Sequence, residues 1–169
     1  MSGRRLTSIA APPGKNSMWL WSKVKNPLRV IYNFLLITLA RYVPSLTFRI
    51  WLLRATGMRV GRHVGVGMMA MFDFFFPELI TLEDNCLIGY NATLLCHEFL
   101  PNECRVGPVV IGANALISAN TTVLAGVCVG QNTIVSAASL VNTDLPPGVL
   151  AGGIPARVIK ELKSGSVGK

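Results

Sequence analysis

The sequence is short of histidine throughout and of acid at one end: it holds two histidines, His63 and His97, and no Asp or Glu within residues 1–62. Two histidines exclude a catalytic zinc held by three imidazoles. The missing acid makes the net charge of +8 a property of the first third, where eleven Lys and Arg stand; the remainder holds five basic residues against eight acidic ones. Cys86, Cys96, Cys104 and Cys128 lack the two-residue spacing of a metal knuckle. No signal peptide is expected, so free thiols in a reducing compartment are expected rather than a disulfide framework. Cys96 and His97 do not read as a nucleophile–base dyad, because neighbours on an extended chain point to opposite sides. Long apolar runs are also missing from the basic third. Its longest uncharged stretch, residues 30–40 between Arg29 and Arg41, makes about 16 Å of helix, half of what a bilayer core needs.

What is present is a period of six. Ile111, Ile117, Val123, Val129, Val135 and Val141 follow one another at that spacing, which suits neither an α-helix nor an alternating strand and marks a β-solenoid. Four places after the first five stand Ala115, Thr121, Val127, Thr133 and Ser139, small enough for a tight inner corner. Three six-residue sides close a coil of eighteen, giving coils over 111–128 and 129–146. Leu82, Ile88 and Leu94 extend the register upstream, Val60 and Val66 open two weaker hexads, and residues 72–77 interrupt it. A β-sandwich would show two-residue alternation instead. The phenylalanines of the interruption are read as core, with an apolar acceptor pocket as the alternative. His63, in an early hexad, reads as a surface residue. At 169 residues and 51% hydrophobic content the chain is one domain of the all-β solenoid class.

The repeat ends in Asp144, Leu145, Pro146, Pro147 and Gly148, followed by Ala151, Gly152, Gly153, Ile154, Pro155, Ala156, Arg157, Val158 and Ile159. With the hexads from Leu82 onward, this ending resembles the hexapeptide-repeat acyltransferases, in particular the branch of sugar O-acetyltransferases and antibiotic-inactivating acetyltransferases. The resemblance implies a left-handed parallel β-helix with an N-terminal helical segment and a short C-terminal cap. It also implies a homotrimer with active sites in the clefts between subunits, acetyl-CoA as co-substrate, and no metal. Carbonic anhydrases of one class share this fold, but they need three histidines.

His97 stands where the register fails. Counting from Leu94, the aliphatic slot would recur at 100 and 106, yet it resumes at Ile111. The intervening residues 98–110 read as a projecting loop, a plausible wall for a substrate. The resemblance makes His97 the general base that takes a proton from the acceptor as it attacks the thioester, and neutral imidazole suits that task near pH 7. Asp73, Glu78, Glu98 and Glu103 are the candidates to orient His97 or to bind the acceptor. For CoA the matching positions are Ala119, Ala137, Asn142, Gly153, Arg157 and Lys160, the last two as cations for nucleotide phosphates. Departures stand at Ala119, where relatives often carry a hydroxyl, at Leu116, where an aromatic is common, and at Thr143, which replaces a basic residue.

Residues 1–16 are expected to be a disordered or loosely attached basic tail, 17–59 an amphipathic helical segment, 60–160 the β-helix and 161–169 a tail. The helical segment has two compatible readings. It covers the end of the solenoid, or it anchors to a membrane interface, with Trp19, Trp21 and Trp51 at headgroup level and Lys23, Lys25 and Arg29 facing anionic lipid. The chain is thus expected in the cytoplasm, with peripheral placement on the inner face of the membrane through residues 17–54 as the second reading. Nucleic acid is not expected, because the cations are interleaved with Leu and Ile. The function expected is acetyl transfer to a hydroxyl or amine of a sugar-like or xenobiotic acceptor; the alternative is a noncatalytic trimeric scaffold or membrane adaptor.

Overall fold

The computed structural model describes residues 3–162. Strand β1 (Thr7–Ala10) and helices α1 (Trp21–Val24), α2 (Pro27–Tyr42) and α3 (Leu46–Ala55) precede the repeat. Strands β2 (Arg59–Val60), β3 (Gly65–Val66) and β4 (Met71–Phe72) then each open a different sheet. The next three, β5 (Ile80–Leu82), β6 (Leu87–Ile88) and β7 (Thr93–Leu94), join those sheets in the same rotation. The chain leaves for a hairpin, β8 (His97–Phe99) and β9 (Glu103–Val106), and returns. Two more turns follow in phase: β10 (Val109–Ile111), β11 (Leu116–Ile117) and β12 (Thr122–Val123), then β13 (Cys128–Val129), β14 (Ile134–Val135) and β15 (Leu140–Val141). β16 (Val149–Gly153) adds a parallel strand, and β17 (Ala156–Glu161) folds back antiparallel on it as the C-terminal cap.

The six-residue period is the mechanism of this coiling. One aliphatic side chain per strand stacks on its counterpart in the next turn: Val60, Leu82, Ile111 and Val129 in one sheet; Val66, Ile88, Ile117, Val135 and Ala151 in the second; Phe72, Leu94, Val123 and Val141 in the third. All but Val60 are buried, and each buried Val, Leu or Ile contributes about 1.5–3 kcal/mol. Three residues after the aliphatic slot the backbone turns through the left-handed region. Asn85, Asn91, Asn114, Asn120 and Asn132 hold φ between 53 and 59° there, a conformation asparagine tolerates better than most residues. Their amides also bond along the coil axis, Asn85 to Asn114 at 2.8 Å, Asn114 to Asn132 at 3.2 Å and Asn91 to Asn120 at 2.9 Å. The next residue, Cys86, Ala92, Ala115, Thr121 or Thr133, is buried inside the corner as expected.

Burial also decides the thiols. Desolvation pushes the Cys86 thiol up to about 12 and raises those of Cys96 and Cys104; Cys128 alone is partly exposed. Brief treatment of the native protein with iodoacetamide near pH 8 should therefore alkylate Cys128 and spare the other three, since the thiolate is the nucleophile. Peptide mass mapping reads the result, and comparable labelling of Cys86 would contradict it.

Helices α2 and α3 pack against the first turn of the coil. Asn26 caps α2 by accepting from the Leu28 N–H at 2.9 Å, with Pro27 at the first helical position. The helix ends at Tyr42, one residue ahead of the extended Val43 that Pro44 requires. Val30, Asn33, Ile37 and Ala40 form its buried stripe.

Two expectations need correction. Residues 3–16, the described part of the expected tail, are not loose: β1 pairs antiparallel with β9, from Thr7 opposite Val106 to Ala10 opposite Glu103. Backbone bonds, rather than buried apolar side chains, supply that attachment, as all four β1 residues are exposed. The Arg5 N–H also donates to the Gly126 carbonyl at 3.1 Å. Gly107 is required there, because a Cβ would run into the Arg5 carbonyl. Within the expected projecting loop, residues 98–106 form most of an ordered hairpin, whose edge β1 completes as a three-stranded sheet, while Val109 and Val110 already belong to β10. At the other end Glu161 still belongs to β17, and the rest of the expected tail, from residue 163, lies outside the described residues.

Candidate functional site

The two interruptions of the repeat meet. The segment after β4 swings Phe74, Phe75 and Phe76 out of the coil, and the hairpin leaves from β7 in the same sheet, one turn along. Within the uninterrupted repeat the laddered asparagines lie 18 residues apart, as Asn114 and Asn132 do; across the hairpin the interval is 29. The inserted chain is thus accommodated without a change of register.

Asp73, wholly buried, joins the two segments. Its Oδ1 accepts from the Phe75 and Phe76 N–H groups, both at 2.9 Å. Its Oδ2 accepts from the Cys96 N–H at 2.7 Å and the His97 N–H at 3.0 Å. The same oxygen lies 2.5 Å from His97 Nδ1. A carboxylate taking four backbone donors is an acceptor only, so Nδ1 is the nitrogen that carries hydrogen, and in the neutral ring the lone pair falls to Nε2. The ring is 14% exposed, which leaves one edge open. Phe75 at 4.7 Å, Phe99 at 4.9 Å and Phe76 at 6.0 Å between ring centroids enclose the rest. The phenylalanine run is therefore mixed: Phe72 belongs to the coil interior, whereas Phe75 and Phe76 wall the histidine.

The other candidate carboxylates are engaged elsewhere. Glu78 pairs with Lys25, whose Nζ also lies 5.1 Å from the Phe76 ring centroid. Glu98 pairs with Arg4 of the N-terminal arm at 2.6 Å, and Glu103 with Arg105 at 2.5 Å. Bonds from Ser8 and Arg105 hold the Glu103 carboxyl below its ordinary range. Cys96 shows the alternation expected beside His97, its side chain fully buried in the core. His63 lies exposed at a left-handed corner with φ 57°. Beyond the coil, Asn16, Met18, Trp19, Phe99, Leu100 and Pro101 line a groove of about 520 Å³ beside Phe99. Trp19 and Leu100 carry no motif that announces this wall in the sequence.

The positions matched to CoA lie farther along the coil, toward its C-terminal end. Ala119 and Ala137 flank corners in which Asn120 and Ala138 adopt positive φ. Gly153, itself at φ 105°, donates its N–H to Ser139 Oγ at 3.1 Å. Asn142 Oδ1 is buried and without a hydrogen-bond partner among the described residues. Arg157, exposed on β17, lines a cleft of about 700 Å³ with Thr143, Asp144 and Pro147. Lys160 is exposed three residues on in the same strand. Among the described residues no group of three or more His, Cys, Asp or Glu side chains could hold a metal ion.

A family model, the hexapeptide repeat of succinyl-transferase, matches residues 79–96 and 108–142, on either side of the hairpin. Over 147 residues the chain is 44% identical to a protein of Bacillus subtilis (strain 168) named "Putative acetyltransferase YvoF", covering 86% of each. It is 36% identical over 109 residues to the galactoside O-acetyltransferase of Escherichia coli (strain K12), across 59% of this chain and 54% of that one. Among solved structures, a maltose O-acetyltransferase from Clostridium difficile 630 superposes with a TM-score of 0.64 at 21% identity, covering 81% of this chain and 88% of that one. A galactoside acetyltransferase in complex with coenzyme A gives 0.62 at 24%, covering 81% and 82%. Identity of this extent, on a coil with the same repeat, means that the chain belongs to the hexapeptide-repeat acetyltransferase family.

Proposed function

We propose that the protein transfers an acetyl group from acetyl-CoA directly to a hydroxyl or amine of a sugar-like or xenobiotic acceptor, with His97 as general base. The His97–Asp73 pair at the break in the repeat carries this reading. The acceptor gives its proton to Nε2 as its oxygen or nitrogen attacks the thioester carbonyl. The tetrahedral intermediate then expels the CoA thiolate, which takes that proton back from the imidazolium. Asp73 holds Nδ1–H throughout, so the ring neither turns nor changes tautomer. No acyl-enzyme forms. Ala119 has no hydroxyl to steady the oxyanion, and a backbone N–H takes that part.

In this reading the coil is left-handed, and three subunits bring His97 of one to the CoA edge of the next, in the cytoplasm. The buried, unpartnered Asn142 Oδ1 suits an amide N–H of the pantetheine arm. Arg157 and Lys160 receive the nucleotide phosphates, while Ala137 and Gly153 lie along the arm. Arg157→Ala should raise KM for acetyl-CoA about tenfold with little change in kcat, corresponding to about 1.4 kcal/mol of binding common to ground and transition states. An unchanged KM would remove Arg157 from the site. The overall reading is tested by CoA thiol release across a panel of sugars, amino sugars and antibiotics. Release with none of them, together with no binding of acetyl-CoA by calorimetry, would overturn it.

A further inference from the structure

The helices carry a second apolar face, turned away from the coil. On α2 the stripe opposite the buried one is formed by Leu28, Ile31, Tyr32, Leu35, Leu39 and Tyr42, all between 41 and 77% exposed. Their spacing of three, four and seven residues sets them along one side of the helix. A helix apolar on both sides is normally covered on both. On α3 the usual arrangement is inverted. Arg49 points inward, 4% exposed, and donates to the Val66 and Val43 carbonyls, while Leu46, Phe48 and Trp51 point outward. Trp51 is 60% exposed and stacked on Phe48 with ring centroids 5.7 Å apart. Trp19 and Trp21 are also exposed on the segment leading into α2.

The charges accompanying this face are all of one sign. Among the described residues Lys15, Lys23, Arg29 and Arg54 form no ion pair with a carboxylate, and no acid occurs within residues 1–62. Two cations lie on aromatic rings instead, Lys15 on Trp19 at 5.2 Å and Arg29 on Tyr32 at 5.0 Å. We propose that this face docks on an anionic lipid surface, its apolar side chains entering the headgroup and upper acyl region and its cations meeting the lipid phosphates. A second copy of the chain fits less well, because it would bring the same uncompensated cations to the same contact. Nucleic acid fits less well too, since the cations surround an apolar centre rather than line a polar stripe. The contact is interfacial: no helix among the described residues is long and apolar enough to cross a membrane.

The test uses the full chain and vesicles of phosphatidylcholine with about 30% phosphatidylglycerol, against vesicles of phosphatidylcholine alone. Wild-type protein should sediment with the anionic vesicles, and less so as salt is raised to about 0.5 M. The combined variant Leu28→Ser, Leu35→Ser, Trp51→Ser should bind at least about tenfold more weakly. Lys15→Glu with Lys23→Glu should weaken binding to anionic vesicles specifically. All three positions of the apolar variant are exposed, so circular dichroism and thiol release with a soluble acceptor should match the wild type. Absence of wild-type binding, or equal binding by both variants, would overturn the proposal. A smaller assembly in the apolar variant, seen by light scattering, would also overturn it by making a second copy the occupant.

Discussion

His97→Ala is expected to lower acetyl-CoA turnover by at least about 100-fold while leaving the assembly intact. The factor follows from the chemistry assigned to the ring. Without Nε2 the acceptor must shed its proton to water as it attacks, and the departing thiolate loses its proton donor. Substrate placement and oxyanion stabilisation survive, so a residual rate above the uncatalysed one should remain. His97 lies at the mouth of the hairpin and its ring touches phenylalanines rather than the aliphatic stack of the coil, so size-exclusion behaviour and circular dichroism should be unaltered. Thiol release unaffected by the change, with any acceptor, would end the assignment of His97 as base.

Asp73→Asn is expected to act in two measurable ways. Both carboxylate oxygens of Asp73 accept: Oδ1 from two backbone N–H groups, Oδ2 from two more and from the His97 ring. An asparagine offers one carbonyl oxygen and one NH2, so either orientation turns an NH2 toward two N–H groups. Leaving those buried donors unpaired costs about 2–4 kcal/mol, which thermal denaturation reads directly. If the NH2 faces the ring, Nδ1 must accept rather than donate, and the hydrogen moves to Nε2, the nitrogen meant to act as base. A fall in kcat of about 10²–10⁴, no larger than that of His97→Ala, is then expected, with KM for acetyl-CoA little altered. A melting-temperature loss with full kcat would reduce Asp73 to a structural tie between the two segments.

The coil was legible because its period is enforced at every turn by the same contact, one aliphatic side chain on another, with a small residue following at each corner. His97 was legible for the complementary reason, as the only histidine at a break in that period. Its partner was not. Asp73 lies where residues 73–77 shift the register before β5, so counting could not align it with Cys96 and His97, and it stood as one of four candidate acids. The asparagine corners also carry a readable signal: Asn at the third place after the aliphatic slot recurs at 85, 91, 114, 120 and 132. The N-terminal arm had none. Its four strand residues are exposed and joined through the backbone to β9, and hydrogen bonds between main chains leave no mark on side-chain periodicity.

The way the hairpin is rooted separates what must stay from what is free to vary. Asp73 grips the main chain at Cys96 and His97, and the Gly107 N–H returns to the Cys96 carbonyl at 2.9 Å. Beyond it, Glu98 to Val106 is held along its outer edge by the N-terminal arm, through β1 on β9 and Arg4 on Glu98. Because β7 and β10 resume the coil in phase on either side, lengthening the turn between β8 and β9 leaves the coil's register unchanged and adds loop entropy, about 0.6 kcal/mol for each doubling. The molecule is thereby divided into a coil whose phase does not depend on the hairpin and a hairpin fastened at its root and along its β1 edge, so variation at the tip leaves the frame untouched.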